Sequence, residues 1–452
     1  MSNTSLSDEK KMKKVLMIAR TFPPFRSVGH SIRVVKFIKY LPTLGWLPVV
    51  LTVDDQKEYE TMPKLGSESL LSDIQPQINI YRAAVNEPSL NYLEKEKGFS
   101  QQNWFTSGIV KFLGGGRRWL FRNIFLPDRH LAWLPSALSV GRKIVNNEGI
   151  DVIFATCPPH SVSLIGALLK QLTGKPLILD YRDDWIDTPW FQSLPTIRRW
   201  IERKMERWVV KKADKVILVT EWSKNAFLER YPREPNNKFI FISNGCDLEE
   251  FTDVNPPSTR KNNSKFTILH AGSLNDSKSW PRTPVSLFQA IHNILQENPD
   301  LAEKLSLAFT GFLPDRLKQT VKELDLSDVV KELGFLQRDV WVRCMKQSDL
   351  LLVINYEGFS TLIPGKIYEY WAVGGPPILL LSCIGAASTL VKEYNLGLTV
   401  DPSDVAGIEQ AILTVYHQSM SDLPMRINTN GVEAYGRQAL TRKLAQVLST
   451  VT

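Results

Sequence analysis

The sequence has few residues of the types that build metal sites and disulfide frameworks. Its 452 residues include four cysteines and six histidines. The cysteines, Cys157, Cys246, Cys344 and Cys383, are far apart and show no C-x-x-C spacing, and the histidines form no H-x-x-x-H or H-E-x-x-H pattern. We therefore expect reduced thiols, no bound metal and no other cofactor.

Long apolar runs are also missing. No window of about 18 apolar residues occurs, and the longest candidate, 376–391, is interrupted by polar groups. Residues 1–20 contain charges followed by a short apolar run without a small-residue cleavage site, which does not fit a signal peptide. These absences favour a cytoplasmic protein that does not span a membrane.

The charge balance is positive. The formal net charge is +8, while 43% of residues are hydrophobic and 23% are charged, as in a soluble globular protein. A basic chain attracts phosphorylated ligands, anionic membrane surfaces or nucleic acid. Nucleic acid is the weakest of these hypotheses, because no recognition motif is present.

Short β-rich runs alternate with segments of helical period in both halves of the chain, which predicts an α/β protein with parallel sheets. The polar stretch 255–265 separates the halves and is typical of a hinge. The predicted strands are 14–19, 47–53, 78–83, 151–156, 176–181, 215–220, 239–243, 266–272, 305–311, 350–354, 377–381 and 397–400. We predict two doubly wound units that face each other and bind ligands at the carboxyl ends of their strands.

Three residues of the first half follow predicted strands. Gly29 precedes a helix and would allow a ligand close to the backbone, or it is simply a turn glycine. His160 precedes an apolar helix, where it either touches substrate or has a structural role. Asp183, in the stretch RDDW, either accepts a hydrogen bond from an attacking hydroxyl or pairs with Arg182.

The second half places cations where an anion would bind. Lys278 and Arg282 lie in a loop before a helix that Thr283 is predicted to cap, with Pro284 as the first helical residue. Lys366 falls in the first turn of a short helix, which is mildly unfavourable unless a negative group lies there too.

Glu369 lies on the same helical face as Lys366, three residues further on. A cation for phosphate, followed one turn later by a carboxylate for vicinal hydroxyls, describes a pocket for the phosphoribose of a nucleotide.

Several segments resemble one family along nearly the whole chain. Residues 22–46 have its Pro-Pro, glycine loop and first helix, and ISNGCDLEEF at 242–251 resembles its interdomain N-G-x-D-x-x-x-F junction. IPGKIYEYWAVGGPPIL at 363–379 is similar to the P-x-K-x-x-E-Y-x-A-x-G-x-P signature of members that act on bacterial surface polysaccharides. The family is the retaining glycosyltransferases of family 4 (glycosyl transferases group 1), which have the GT-B fold.

The resemblance implies the domain organisation. Residues 1–250 would form an acceptor-binding Rossmann-like domain and residues 251–430 a donor-binding Rossmann-like domain. Residues 431–452 would form a helix that crosses back to the first domain.

The resemblance also implies roles for the candidate residues. Gly29 would approach the donor, Arg282 and Lys366 would hold its diphosphate, Glu369 would bind the ribose, and the backbone around Leu336 would border the base. No metal would be needed. His160 and Asp183 are candidates for groups on the acceptor side.

The chain departs from the family pattern at three places, two of which are Val28 in place of the first glycine of a Gly-Gly pair and Ser273 in place of a phosphate-binding arginine. Many members have a first glutamate eight positions before Glu369, where this chain has Thr361. Glu357 has similar neighbours but the wrong spacing, so that its assignment to the donor site stays open. Lys278 matches the phosphate-binding lysine when counted from Gly272, whereas Arg282 matches when counted back from the following helix.

The expected reaction is transfer of a sugar from a nucleotide diphosphate sugar to an acceptor hydroxyl, with retention, in polysaccharide or glycolipid synthesis. The alternatives are a non-catalytic nucleotide-binding or membrane-tethering protein of this fold, and a sugar-nucleotide epimerase. Two basic and aromatic segments, 111–133 and 196–214, favour peripheral membrane contact and a lipid-linked acceptor, or simply pack on the core. In the second segment the apolar side is predicted to comprise Ile197, Trp200, Ile201, Met205, Trp208 and Val209.

Overall fold

The computed structural model describes residues 12–24, 28–54, 70–85, 126–252, 265–272, 274, 283–355, 358–421 and 424–452, with only the backbone described at 28–30. Two parallel sheets organise these residues, with helices against their faces. The predicted α/β class with two doubly wound units is confirmed.

The first sheet has the strand order β3-β2-β1-β4-β5-β6-β7. Its strands are β1 (Lys13–Ile18), β2 (Trp46–Asp54), β3 (Asn79–Ala84), β4 (Val152–Cys157), β5 (Leu177–Tyr181), β6 (Lys215–Leu218) and β7 (Phe239–Phe241). Every residue of β4 and β5 is buried, since helices cover both faces of a parallel sheet. The helices are α1 (Val28–Tyr40), α2 (Leu134–Glu148), α3 (Ser161–Thr173), α4 (Pro189–Gln192), α5 (Thr196–Lys212) and α6 (Glu221–Arg230).

The second sheet has the order β10-β9-β8-β11-β12-β13. Its strands are β8 (Phe266–His270), β9 (Leu305–Phe309), β10 (Val330–Glu332), β11 (Leu350–Ile354), β12 (Ile378–Leu381) and β13 (Gly397–Val400). The helices are α7 (Val285–Glu297), α8 (Asp315–Glu323), α9 (Arg338–Gln347), α10 (Gly365–Val373), α11 (Ala386–Glu393), α12 (Val405–Ser419) and α13 (Arg437–Ser449).

The last helix, α13, packs on the first unit although it follows the second in sequence. Leu440 and Leu444 belong to the apolar cluster formed by β1 and α1. The Lys13 ammonium donates a hydrogen bond of 2.9 Å to the Thr452 hydroxyl. The chain thus crosses between the two units twice, once after β7 and once before α13.

A network of charges fixes the first crossing. Lys36 of α1 is buried and contacts Asp73 and Asp247 at 2.6 Å and Glu250 at 2.8 Å. Burial disfavours the charged amine, but the three carboxylates outweigh this effect and raise the pKa of Lys36. A cation with three anionic partners ties α1 to the crossing segment.

Two local predictions were wrong. Helix α7 begins at Val285 with Pro284 in the N-cap position, so that Thr283 does not cap it. In α5, Ile197 and Trp200 are exposed, at 72% and 60%, whereas Met205, Trp208 and Val209 pack on the core, so these residues do not form one apolar side as predicted. Glu202 and Glu206 take buried positions on the inner face of α5 because other buried groups bind their carboxylates.

Candidate active site

The Lys366 side chain reaches from α10 to the carboxyl end of β8. The sequence predicted a cation for an anionic ligand at such a strand end. Lys366 is half-buried in the first turn of α10, where no described side chain caps the helix. Its ammonium packs so closely on Gly272 that a Cβ at position 272 would overlap it. The Tyr370 hydroxyl joins α10 to the end of β8, since it accepts a hydrogen bond of 2.8 Å from the Ala271 amide.

His270 holds the lysine in place. Its ring is fully buried, with Nδ1 3.0 Å from the Leu352 carbonyl and Nε2 3.3 Å from the Lys366 ammonium. A carbonyl only accepts, so Nδ1 carries the proton and Nε2 presents a lone pair to the ammonium. The histidine therefore orients Lys366 without adding a competing positive charge.

Glu369 follows one turn later on α10, with its side chain 22% exposed. Arg338 approaches Glu369 at 3.4 Å and Glu250 at 2.6 Å. Burial raises the pKa of the Glu369 carboxyl, while the charge of Arg338 opposes this rise. Among the described residues the carboxylate has one long ionic contact, which leaves lone pairs for hydroxyl groups of a ligand.

Two exposed aromatic rings mark the part of the second unit where the base was predicted to lie. Phe335 and Phe312 are 58% and 59% exposed and meet edge to face, with ring centroids 5.6 Å apart. Leu336, next to Phe335, is half-buried. Exposed aromatic faces at strand ends suit a flat heterocycle.

On the first unit, His160 lies at the N-terminus of α3 and stacks on Trp185 with ring centroids 4.8 Å apart and planes inclined by 7°. It is 8% exposed. Burial and the positive charge of Arg182 lower the pKa of His160 to about 3, so the imidazole is neutral at physiological pH. Its buried Nδ1 has no hydrogen-bond partner among the described residues.

The two carboxylates of RDDW differ in environment. Asp183 is half-buried, and its negative charge counteracts the lowering of the Arg182 pKa by burial. Asp184 is buried and accepts hydrogen bonds from Ser223 and, at 2.7 Å, from the Thr361 hydroxyl of the second unit. Burial raises the pKa of Asp184, and these two donors oppose the rise.

Thr361 stands where the family pattern has its first glutamate, and it joins the two units. Besides its bond to Asp184, its carbonyl accepts a 2.7 Å hydrogen bond from the Thr220 hydroxyl at the end of β6. Position 361 therefore makes a contact between the units, and the carboxylate found beside it is Asp184 of the first unit.

The structure brings Lys366 and Glu369 together at one helix end and places His160 near Arg182. Gly29 was predicted to precede the helix, but it is the second residue of α1. Lys278, Arg282 and Glu357, together with residues 111–125 of the first basic segment, lie outside the described residues, and their assigned roles stay predictions.

Sequence reasoning missed His270, Asp184, Arg338 and Phe312. His270 had a usable signal, since it is a polar residue at the end of an apolar strand, followed by Ala-Gly. Asp184 had none, because the backbone path alone decides which carboxylate of RDDW turns inward.

The described residues contain no cluster of three or more His, Cys, Asp or Glu side chains arranged for a metal ion. No helix among them has the length and apolar character needed to cross a bilayer.

Two family models match the chain. The Glycosyl transferase 4-like domain matches residues 113–245, and Glycosyl transferases group 1 matches residues 252–434. No curated protein sequence matches significantly.

Solved structures share the fold over almost the full length. A glycosyltransferase from Rickettsia africae has a TM-score of 0.63 and 13% identity, with 97% of this chain and 98% of that chain covered. Sucrose-phosphate synthase from Thermosynechococcus elongatus has a TM-score of 0.61 and 16% identity, with 96% of this chain and 94% of that chain covered. Anabaena Alr3699/HepE in complex with UDP and glucose has a TM-score of 0.58 and 16% identity, with 97% of this chain and 100% of that chain covered.

The chain belongs to the GT-B glycosyltransferases of the group 1, family 4 type, as the sequence motifs predicted. It is a transferase, and the cleft described above is its candidate active site.

Proposed function

We propose that this glycosyltransferase transfers a sugar, with retention, from a nucleotide diphosphate sugar to an acceptor hydroxyl in polysaccharide or lipid-linked glycan synthesis. The observation that carries the proposal is the Lys366 ammonium, held by His270 against Gly272 at the N-terminus of α10. Anabaena HepE, which shares the fold, was solved with UDP and glucose, and this supports a nucleotide sugar as donor.

The chemistry follows from where charge develops. The bond between the anomeric carbon and the diphosphate oxygen breaks, and negative charge accumulates on the leaving group. Lys366 and the backbone amides that begin α10 stabilise that charge without a metal ion. The acceptor oxygen bonds to the anomeric carbon, and its proton passes to the departing diphosphate. Asp183 and the neutral His160 lie on the acceptor side, where they orient the hydroxyl.

Thermal unfolding with a panel of nucleoside diphosphates and nucleotide sugars tests the donor site. We expect one base to stabilise the wild type and to lose its effect in Lys366→Ala and Glu369→Ala. Turnover with an acceptor distinguishes a transferase from a non-catalytic binding protein, and nucleotide release without any acceptor would indicate an epimerase. No stabilisation by any nucleotide in the folded protein would contradict the proposal.

The exposed face of α5 supports membrane contact as part of the same proposal. It combines the exposed Ile197 and Trp200 with four exposed cations, Arg203, Lys204, Arg207 and Lys211. Both carboxylates of the helix, Glu202 and Glu206, are buried. Two protruding apolar side chains on a purely cationic face fit an anionic bilayer surface, where each Lys or Arg contributes about 1 kcal/mol.

Vesicle sedimentation tests the membrane contact. We expect binding to vesicles containing phosphatidylglycerol, weak binding to phosphatidylcholine alone, and loss of binding in the double variant Ile197→Ser, Trp200→Ser. Leu172, which is 50% exposed on α3, offers a matched control in Leu172→Ser. Equal loss in the control, or binding that does not depend on anionic lipid, would contradict this part of the proposal.

A further inference from the structure

A groove between the two units lies beside the candidate active site and has no role in the mechanism above. Its volume is about 860 Å³. The first unit contributes Asp187 and Thr188, two residues of α4 and one face of α6, and the second unit contributes Gly358, Ser360 and Thr361.

The α6 wall has a regular arrangement. Trp222, Asn225, Ala226 and Glu229 recur at intervals of three and four residues and therefore share one helical face. The Trp222 side chain is 41% exposed, so part of its ring is available for stacking. Asn225 and Glu229 are exposed beyond it on the same face. The wall thus offers an aromatic surface followed by an amide and a carboxylate.

The other described lining residues add hydrogen-bonding groups and include no cation. Gln192, Ser360 and Thr361 provide an amide and two hydroxyls, and no Lys, Arg or His is among the described lining residues. Asp187, also in the lining, is paired with Arg230, so its charge is compensated locally. This composition contrasts with the Lys366 site, which is built around a cation.

Contacts between the units give the groove a fixed shape. Trp190 stacks on Phe359 with ring centroids 5.7 Å apart and planes inclined by 27°. Thr361, which lines the groove, also donates its hydroxyl to Asp184 at 2.7 Å. The groove therefore ends at the residue next to Asp183, the candidate acceptor-side carboxylate.

We propose that this groove binds an uncharged sugar unit of the acceptor glycan, with Trp222 stacked on the sugar ring and Asn225 and Glu229 bonded to its hydroxyls. The proposal rests on the proposed function, since it names the chemical class of the acceptor. A phosphate is disfavoured because the described lining residues include carboxylates and no cation. A lipid chain is disfavoured because amides, hydroxyls and a carboxylate would be buried without partners.

Fluorine NMR of the protein labelled with 5-fluorotryptophan tests the groove directly. The Trp222 resonance is assigned by its absence in Trp222→Phe, and Trp200, exposed on α5 away from the groove, serves as the control. The probes are methyl glycosides of glucose, galactose, mannose and N-acetylglucosamine, compared with inorganic phosphate and glucose 1-phosphate.

We expect at least one neutral glycoside to shift the Trp222 resonance saturably while Trp200 stays unchanged. Trp222→Ala should weaken binding of that glycoside, followed by ligand-observed NMR, about fivefold, whereas Trp222→Phe should retain most of it. No shift of Trp222 at tens of millimolar glycoside, or a larger response to the sugar phosphate, would overturn the proposal.

The nucleotide panel is measured separately, so the two proposals can fail separately. Nucleotide binding without a Trp222 response would overturn the groove assignment alone. A Trp222 response without nucleotide binding would overturn the donor assignment and leave a glycan-binding groove.

Discussion

The contact between Gly272 and the Lys366 ammonium makes Gly272→Ala a sharp perturbation of the candidate donor site. A methyl group at position 272 would overlap the ammonium, which ends a flexible side chain and can rotate away. The backbone at Gly272 has φ of +154°, a conformation that L-residues rarely adopt, and alanine there costs on the order of 1 kcal/mol of stability. We expect a folded protein whose lysine no longer points at the phosphate position.

The expected loss of affinity follows from the bond that is removed. A hydrogen bond to a charged group is worth about 1.5–3 kcal/mol, which corresponds to a dissociation constant raised about 10- to 150-fold. Titration calorimetry with the nucleoside diphosphate that best stabilises the wild type measures this change. Lys366→Ala should give a loss of the same size, and combining it with Gly272→Ala should add little.

Gly365 supplies the matched control, because a Cβ at that position would meet no atom within 4 Å. Gly365→Ala lies in the same first turn of α10 and should keep the wild-type affinity. Wild-type binding by Gly272→Ala would refute the assignment of Lys366 to the diphosphate. An equal loss in Gly365→Ala would show that any change at this helix end is disruptive.

Three further predictions concern groups around the cleft. Thr361→Val removes a hydroxyl that donates to the buried Asp184, and it should lower the free energy of unfolding in urea by about 1.5–3 kcal/mol. A urea unfolding curve with unchanged midpoint and slope would contradict this hydrogen bond between the units. Because the pKa of His160 is lowered to about 3 in the folded state, its stabilising effect is complete above about pH 6.5 and is lost as the pH falls toward 3. His160→Phe should therefore lose less stability than the wild type between pH 6.5 and pH 4, and parallel curves would argue against a buried neutral ring. Arg338→Gln removes a positive charge that opposes the rise of the Glu369 pKa, so the pKa of Glu369 should rise further. On acidification, nucleotide affinity should then begin to decline at a higher pH in the variant than in the wild type. Identical pH profiles would exclude a role of ionised Glu369 in binding.

The strands were predictable because buried parallel strands are apolar runs, and the predicted 350–354 and 397–400 agree fully with β11 and β13. Strand β10 was not predicted from periodicity, since Val330–Glu332 is short and its burial does not alternate. Lys366 could be identified from its helix position alone, because a cation at a helix N-terminus is electrostatically anomalous in any fold.

Side-chain partners across the cleft could not be predicted. Whether Asp183 or Asp184 meets Thr361 depends on how the chain leaves β5 and on how closely the second unit approaches. The exposure of Ile197 and Trp200 had a similar cause. The helical period predicts that both residues lie on the same side as the other apolar residues of α5. Glu202 and Glu206 face inward instead, because Trp185 donates a hydrogen bond of 2.9 Å to Glu202 and Tyr231 one of 2.5 Å to Glu206.

The two binding regions have opposite electrostatic character, and this difference can orient the substrates. A diphosphate is attracted to Lys366 and to the amides that begin α10, whereas the groove beside Trp222 presents Glu229 and no described cation. Charges in a partly enclosed cleft are screened less than in water, so the groove would repel the donor while the Lys366 site attracts it. Thr361 lies between the groove and the candidate active site, and its hydrogen bond to Asp184 fixes their relative position. A neutral acceptor is then the partner that can occupy the groove without competing for the donor site, and its hydroxyl would approach the anomeric carbon from the side of Asp183 and His160.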